Sequence, residues 1–83
     1  MAWYVYMLRC GDGSLYTGCT DDVARRLAAH QSGKGAKYTR SRLPVSLAYQ
    51  EEQPDKSAAL RREAAIKRLK RPQKLVLAEE KPL

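Results

Sequence analysis

The run from Trp3 to Cys10 (WYVYMLRC) is dense in aromatic and β-branched residues, Gly11-Asp12-Gly13 follows it, and Ser14 to Cys19 resumes an extended pattern. This is the signature of a β-hairpin, and no other stretch limits so strongly what the chain can fold into. Loop length decides which side chains share a face. A two-residue turn at Asp12 and Gly13 would pair Arg9 with Tyr16, whereas a three-residue loop pairs Leu8 with Tyr16 and gathers Tyr4, Tyr6 and Tyr16 on one side. Gly13 can take a positive φ without steric cost, which suits a type I turn closed by a G1 bulge and favours the three-residue loop. Cys10 and Cys19 then fall at opposite ends of the hairpin, about 16 Å apart at roughly 3.3 Å per residue. A disulfide spans roughly 7 Å between Cα atoms at most, so both are expected as free thiols.

Beyond the hairpin, Thr20 or Asp21 can cap a helix reaching about Gln31, with Asp21 and Asp22 beside its positive end and Gly33 placed to stop it. Val23 and Leu27 are its core anchors, and Arg26 and His30, four residues apart, project from one face and flank Leu27. Residues 33–42 (GKGAKYTRSR) are polar, basic and punctuated by glycine. They read as an extended loop or a short helical turn, and as a candidate binding loop. Pro44 closes the segment, and Val45 to Glu51 forms a third strand with Val45, Leu47 and Tyr49 alternating to one side. Pro54 and Asp55 start the longest helix, which runs to about Lys70, where Pro72 either ends it or opens a short last helix through Leu77. Its apolar stripe is Ala59, Leu60, Ile66 and Leu69, and Glu63 falls inside that core-facing arc.

A chain of 83 residues can hold one modest core and has no room for a separate cofactor domain. No apolar run approaches the roughly 20 residues needed to cross a bilayer, and Trp3 to Leu8 reads as a strand rather than the core of a leader, so a cytoplasmic protein is expected. Sixteen Lys and Arg against nine Asp and Glu give a formal net charge of +7, a field that concentrates polyanions. Eight of those sixteen basic residues lie between Lys56 and Lys74. With two cysteines and one histidine, a closed tetrahedral zinc site would need carboxylates at spacings the chain does not offer.

Tyr4-Val5-Tyr6, nine intervening residues, and Tyr16-Thr17-Gly18 resemble the paired triplets of the GIY-YIG nuclease superfamily. The resemblance continues in order: Arg26 eight residues after Gly18, His30 four later, and Glu63 on a later helix. KGAKYTRSRLP, a third strand and then ALRREAAIKRL are similar to the small stand-alone bacterial YhbQ-like branch, so the resemblance covers nearly the whole chain. The chain departs from the family pattern in places. Tyr4 stands where the family name has glycine, Thr17 stands where it has isoleucine, and the chain contains no Asn for the late asparagine of many members, leaving Gln73 or Lys74 as substitutes.

The resemblance implies an α+β fold: a three-stranded antiparallel sheet flanked by helices in the order β-β-α-β-α-α, as a single domain over residues 1–83. It implies a metal-dependent endonuclease hydrolysing DNA phosphodiesters with Mg²⁺ or Mn²⁺, in DNA repair, recombination or processing. Tyr6, with Tyr16 or His30, would orient or deprotonate the attacking water. Arg26 would stabilise charge on the phosphate, and Glu63 would hold one divalent ion. Because a phosphodiester is anionic, a metal and a guanidinium must offset charge on its non-bridging oxygens. Lys37, Arg40, Arg42, Arg61 and Arg68 are candidates for DNA backbone contacts, and Tyr38 for stacking on an exposed base. A protein partner could supply substrate choice. Each residue also has an ordinary structural reading. The tyrosines could pack a small core, Arg26 and His30 could be a solvated helix face, and Glu63 could pair with Arg62, Lys67 or Lys70. The alternative function is a catalytically weak or silent nucleic-acid-binding module on the same scaffold.

Overall fold

A computed structural model describes residues 2–80; Met1 and residues 81–83 of the expected domain span lie outside the described residues. The elements are β1 (Trp3–Arg9), β2 (Leu15–Thr20), α1 (Val23–Gln31), α2 (Lys37–Arg40), β3 (Ser46–Gln53), α3 (Lys56–Lys67) and α4 (Arg71–Glu80). The fold is α+β, a three-stranded antiparallel sheet in the order β2-β1-β3 with helices on both faces. The four-residue α2 is the short helical turn of the glycine-punctuated segment.

The hairpin has the three-residue loop. Leu8 pairs with Tyr16, Cys10 and Ser14 close the loop through a 2.9 Å backbone hydrogen bond, and Gly13 takes φ +84°. Tyr4, Tyr6 and Leu8 therefore point to one face of β1 and Val5 and Met7 to the other. α1 covers the first face, where Leu27 packs with Tyr6, Leu8 and Tyr16. α3 and α4 cover the second, where Ala59, Ile66 and Ala78 pack with Val5, Met7 and Tyr49. Cys10 and Cys19 are unpaired thiols.

Four local expectations are corrected. Val45, Leu47 and Tyr49 do not share a side: the β1–β3 register shifts between Met7 and Leu8, so Leu47 opposes Leu8 while Tyr49 opposes Met7. Ala48 is the extra residue of this bulge, and it turns Tyr49 into the α3 face. The α1 cap is Asp22, whose carboxylate accepts from Arg25 N, rather than Thr20 or Asp21. α3 ends at Lys67, three residues before the expected Lys70; of the two alternatives at Pro72 the last helix forms, its start marked by the Lys70 N–H donating to the Gln73 side chain at 2.9 Å, and it reaches Glu80 rather than Leu77. Leu60 is 48% exposed. The inward line of α3 runs through Ala59, Arg62, Glu63 and Ile66, which puts Leu60 outside it.

The α3 face carries one tight polar network. Arg62 Nε lies 3.0 and 3.1 Å from the two Glu51 oxygens, Gln53 Nε2 donates to Oε2 at 2.6 Å, and the Tyr49 hydroxyl donates to Oε1. Burial pushes the Glu51 carboxyl up, but hydrogen bonds from Tyr49 and Arg62 together outweigh it and hold the group below its ordinary 4.5. On the other face, burial first and then Arg26 hold the His30 imidazole below its ordinary 6.5. Both shifts act in the same direction, because in each case the unfolded chain binds a proton at a pH where the folded chain does not. The stability that depends on these two groups should be complete above about 6.5, fall as His30 is driven to charge, and fall again below 4.5 as Glu51 protonates. Urea unfolding across this range is the check, and Glu51→Gln should flatten the lower limb while leaving the upper one.

Candidate active site

Tyr6 lies across Gly18, its directly opposed partner on β2. A Cβ at position 18 would stand 2.6 Å from the Tyr6 Oη and 2.8 Å from its Cζ, so the glycine of the second triplet is what allows the ring to lie flat there. His30, on α1, comes down on the same face, and its Nε2 is 2.9 Å from the Tyr6 hydroxyl. The other ring nitrogen, Nδ1, is 2.8 Å from the Thr39 hydroxyl on α2. Tyr16 completes the cluster, with its ring centroid 6.5 Å from that of Tyr6 and 5.2 Å from that of His30. Tyr6 is 2% exposed and His30 fully buried, whereas Tyr16 is partly exposed.

Arg26, one turn before His30, sits close enough to act on both groups. Burial pushes the Tyr6 phenol up to about 12, against the pull of the Arg26 guanidinium, and the same guanidinium joins burial in keeping His30 neutral. A cleft of about 390 Å³ opens beside it, lined by Thr20, Asp21, Asp22, Arg25, Arg26 and Ala29.

Gly35 is the second place where a missing side chain shapes the site. A Cβ there would meet His30 Nδ1 at 2.3 Å, Cγ at 2.7 Å and Cα at 2.9 Å. The last of these is backbone and cannot swing away. Gly35→Ala is therefore expected to destabilise the protein by about 1–3 kcal/mol, the cost of overpacking a filled site. A lowered urea midpoint checks it, and an unchanged midpoint would show that the α2 loop does not press on His30.

Glu63 does not share the tyrosine face. α3 packs on the opposite side of the sheet, and the Glu63 carboxylate lies beside Cys19, whose thiol burial and Glu63 together push up to about 11. Its side chain is 16% exposed and pairs with Lys67 at 2.7 Å, the one of the three expected partners that stands four residues on. That bond above all raises the Lys67 ammonium, which also feels Tyr16 and Cys19, so the pair sits near the part of edge strand β2 from which Tyr16 emerges. Among the described residues no three of His, Cys, Asp and Glu come together. A lone carboxylate does not fit a caged zinc; it fits Mg²⁺, which keeps several waters and takes remaining ligands from substrate phosphate.

The candidate nucleic-acid contacts divide. Lys37 and Arg40 are exposed on α2. Arg42 is committed elsewhere: Nε meets Asp12 at 3.1 Å, Nη1 donates to the Tyr38 carbonyl at 2.9 Å, and the guanidinium covers the Tyr38 ring at 3.9 Å. Tyr38 also packs against Tyr16 at 5.8 Å and is 38% exposed, so its ring is held between neighbours with part of its surface open. Arg61 and Arg68 are exposed, each about 200° around α3 from the inward Ala59 and Ile66, and so lie on its outer side, a different surface from α2. Gln73 is occupied at the start of α4 and Lys74 is half-buried, and neither is brought to Tyr6 by any contact described. Thr39 and Gly35 escaped sequence reasoning. The signal for both was only that a polar, glycine-bearing run can be buried when a helix such as α2 folds it onto a histidine. No helix among the described residues is long and apolar enough to cross a membrane.

The chain is similar to known proteins over nearly its full length. A UPF0213 protein of Streptococcus sanguinis is 60% identical over 78 residues, covering 94% of this chain and 90% of that protein. A UPF0213 protein of Staphylococcus haemolyticus is 55% identical, covering 94% and 95%. The solution NMR structure of a UPF0213 protein from Bacillus halodurans superposes with a TM-score of 0.62 at 50% identity, covering 96% of this chain and 85% of that one. That of a protein from E. faecalis gives 0.65 at 43%, with the same coverage. A family model described as the GIY-YIG catalytic domain matches residues 2–76, which takes in both tyrosine triplets, Arg26, His30 and Glu63. With Tyr6, Tyr16, Arg26 and His30 gathered on one face and Glu63 reaching the edge of β2 from the other, the chain belongs to the GIY-YIG catalytic domain family.

Proposed function

We propose that this chain is a nucleic-acid-binding domain that hydrolyses DNA phosphodiesters weakly, with divalent-ion dependence, in the cytoplasm. We also assign it to the YhbQ-like branch of the family. The observation that carries the reading is the Tyr6–His30 contact of 2.9 Å, with Arg26 acting on both groups and Tyr16 over them. A neutral imidazole against a phenol is a proton acceptor for it, and a phenol held protonated as Tyr6 is takes a proton from water only if it hands its own on. In the reaction the water oxygen bonds to phosphorus and the P–O3′ bond breaks, leaving 5′-phosphate and 3′-hydroxyl ends. The water proton passes to the Tyr6 oxygen as the Tyr6 proton passes to His30 Nε2, and the departing O3′ takes a proton from solvent. Arg26 offsets charge on the non-bridging oxygens. A divalent ion, when held by Glu63 and substrate phosphate, supplies further charge neutralisation. Lys37 and Arg40 supply backbone contacts.

Two observations support weak rather than fast turnover: Tyr6 and His30 are almost wholly buried, and Lys67 occupies the Glu63 carboxylate. A silent binding module is the same reading with turnover at zero. Incubation with single-stranded, duplex and branched DNA, with Mg²⁺, Mn²⁺ or EDTA, separates the two. Metal-dependent ends support hydrolysis; salt-sensitive binding with no cleavage on any substrate leaves the module. Lys67→Met keeps the apolar stem and removes the competing charge. It should tighten Mn²⁺ binding roughly two- to fivefold, the worth of a half-exposed pair of about 0.4–1 kcal/mol. Unchanged Mn²⁺ affinity in that variant would mean that Glu63 is not where the ion binds.

A further inference from the structure

Thr39 is fully buried on α2, within a segment otherwise rich in exposed polar residues. Its Oγ1 has two polar neighbours, the Ala36 carbonyl oxygen at 2.9 Å and His30 Nδ1 at 2.8 Å. A carbonyl oxygen can only accept, so the single hydroxyl proton points to Ala36. Nδ1 must then supply the hydrogen in the second contact. The imidazole is held neutral by burial and by Arg26, so it carries one N–H, and Nε2 is left bare. Tyr6 donates into that bare nitrogen at 2.9 Å. The opposite tautomer would set the Thr39 oxygen against the Ala36 oxygen with no hydrogen between them. It would also turn Nε2–H toward Tyr6, whose own proton has no other acceptor within hydrogen-bond distance among the described residues.

We propose that Thr39 is a positioning residue that fixes the tautomer of His30, so that Nε2 faces Tyr6 as a free base. Its use in hydrolysis rests on the function proposed above; the tautomer itself does not. Thr39 thereby gives the α2 loop a task in the chemistry: it presents one hydroxyl to the far side of the ring, and Gly35 leaves room for that approach.

The chain contains one histidine, so long-range ¹H–¹⁵N NMR correlations of the imidazole report His30 alone. The wild type should show Nδ1–H with Nε2 unprotonated. Thr39→Val keeps the shape and removes the acceptor, so the ring should change to Nε2–H donating to Tyr6; Thr39→Ser should restore the wild-type pattern. Thr39→Ala removes the same acceptor with room to repack and gives the same reading if the valine variant does not fold. An Nε2–H wild type, or an acceptor-less variant that keeps Nδ1–H, overturns the proposal. Where wild type cleaves DNA, Thr39→Val should slow cleavage by roughly 10²–10⁴-fold, the worth of a proton acceptor, and Thr39→Ser should recover it to within a few-fold. If the tautomer changes as expected and no substrate is cut by any form, hydrolysis fails and the role of Thr39 on the ring stands.

Discussion

Arg26→Ala is expected to lower metal-dependent cleavage by about 10²–10³-fold, the usual consequence of removing one fixed donor to charge that develops on a reacting phosphate. Arg26 is half-buried and makes no ion pair among the described residues, so its removal leaves no carboxylate unpaired. Folding should survive. Glu63→Gln should cost at least as much in cleavage and also abolish saturable Mn²⁺ binding, because it removes the carboxylate proposed to hold the ion while keeping the side chain's shape. Lys67 loses its partner in that variant, but at 52% exposure it can turn to water. Nucleic-acid affinity should change by no more than a few-fold in either variant, since Lys37 and Arg40 are untouched. Cleavage that persists in both variants would remove Arg26 and Glu63 from the chemistry, whatever the wild type does.

The hairpin was readable in advance because its geometry hangs on one residue: Gly13 takes positive φ, and that decides the odd loop and brings Tyr6 and Tyr16 to a common face. Helix α1 was readable too, with Arg26 and His30 spaced by one turn and Gly33 at φ +80° ending it. What lay beyond sequence were features without a periodic mark. The β3 bulge adds an ordinary alanine, Ala48, and nothing in the strand's composition distinguishes it from regular alternation. Four-residue α2 is too short to show helical period, so Thr39 reads as one polar residue among many. Glu63 was rightly placed in the inward arc of α3, but which face of the sheet that arc meets depends on the β3–α3 connection, and local pattern does not encode it. The basic candidates suffered the same way: Arg42 reads as a DNA backbone contact and is engaged at the surface by Asp12 and Tyr38.

Tyr6→Phe is expected to have two separable effects, and their combination distinguishes a working tyrosine from a packed one. The ring stays over Gly18 and against Tyr16, so packing is preserved. The hydroxyl is lost, and His30 Nε2 becomes a buried acceptor with no donor. That should cost about 1–3 kcal/mol of stability. If the pair only stabilises the fold, the loss ends there, and Tyr6→Phe cleaves as well as wild type once folded. If the phenol relays the proton of the attacking water to His30, cleavage should fall by about 10²–10⁴-fold at a temperature where the variant remains folded. Tyr16→Phe provides the comparison, because Tyr16 is partly exposed and its hydroxyl makes no hydrogen bond among the described residues. It should leave stability almost unchanged. Cleavage and urea midpoints measured on both variants therefore form a square, and a stability loss in Tyr6→Phe without a rate loss would assign the buried tyrosine–histidine contact to the fold alone.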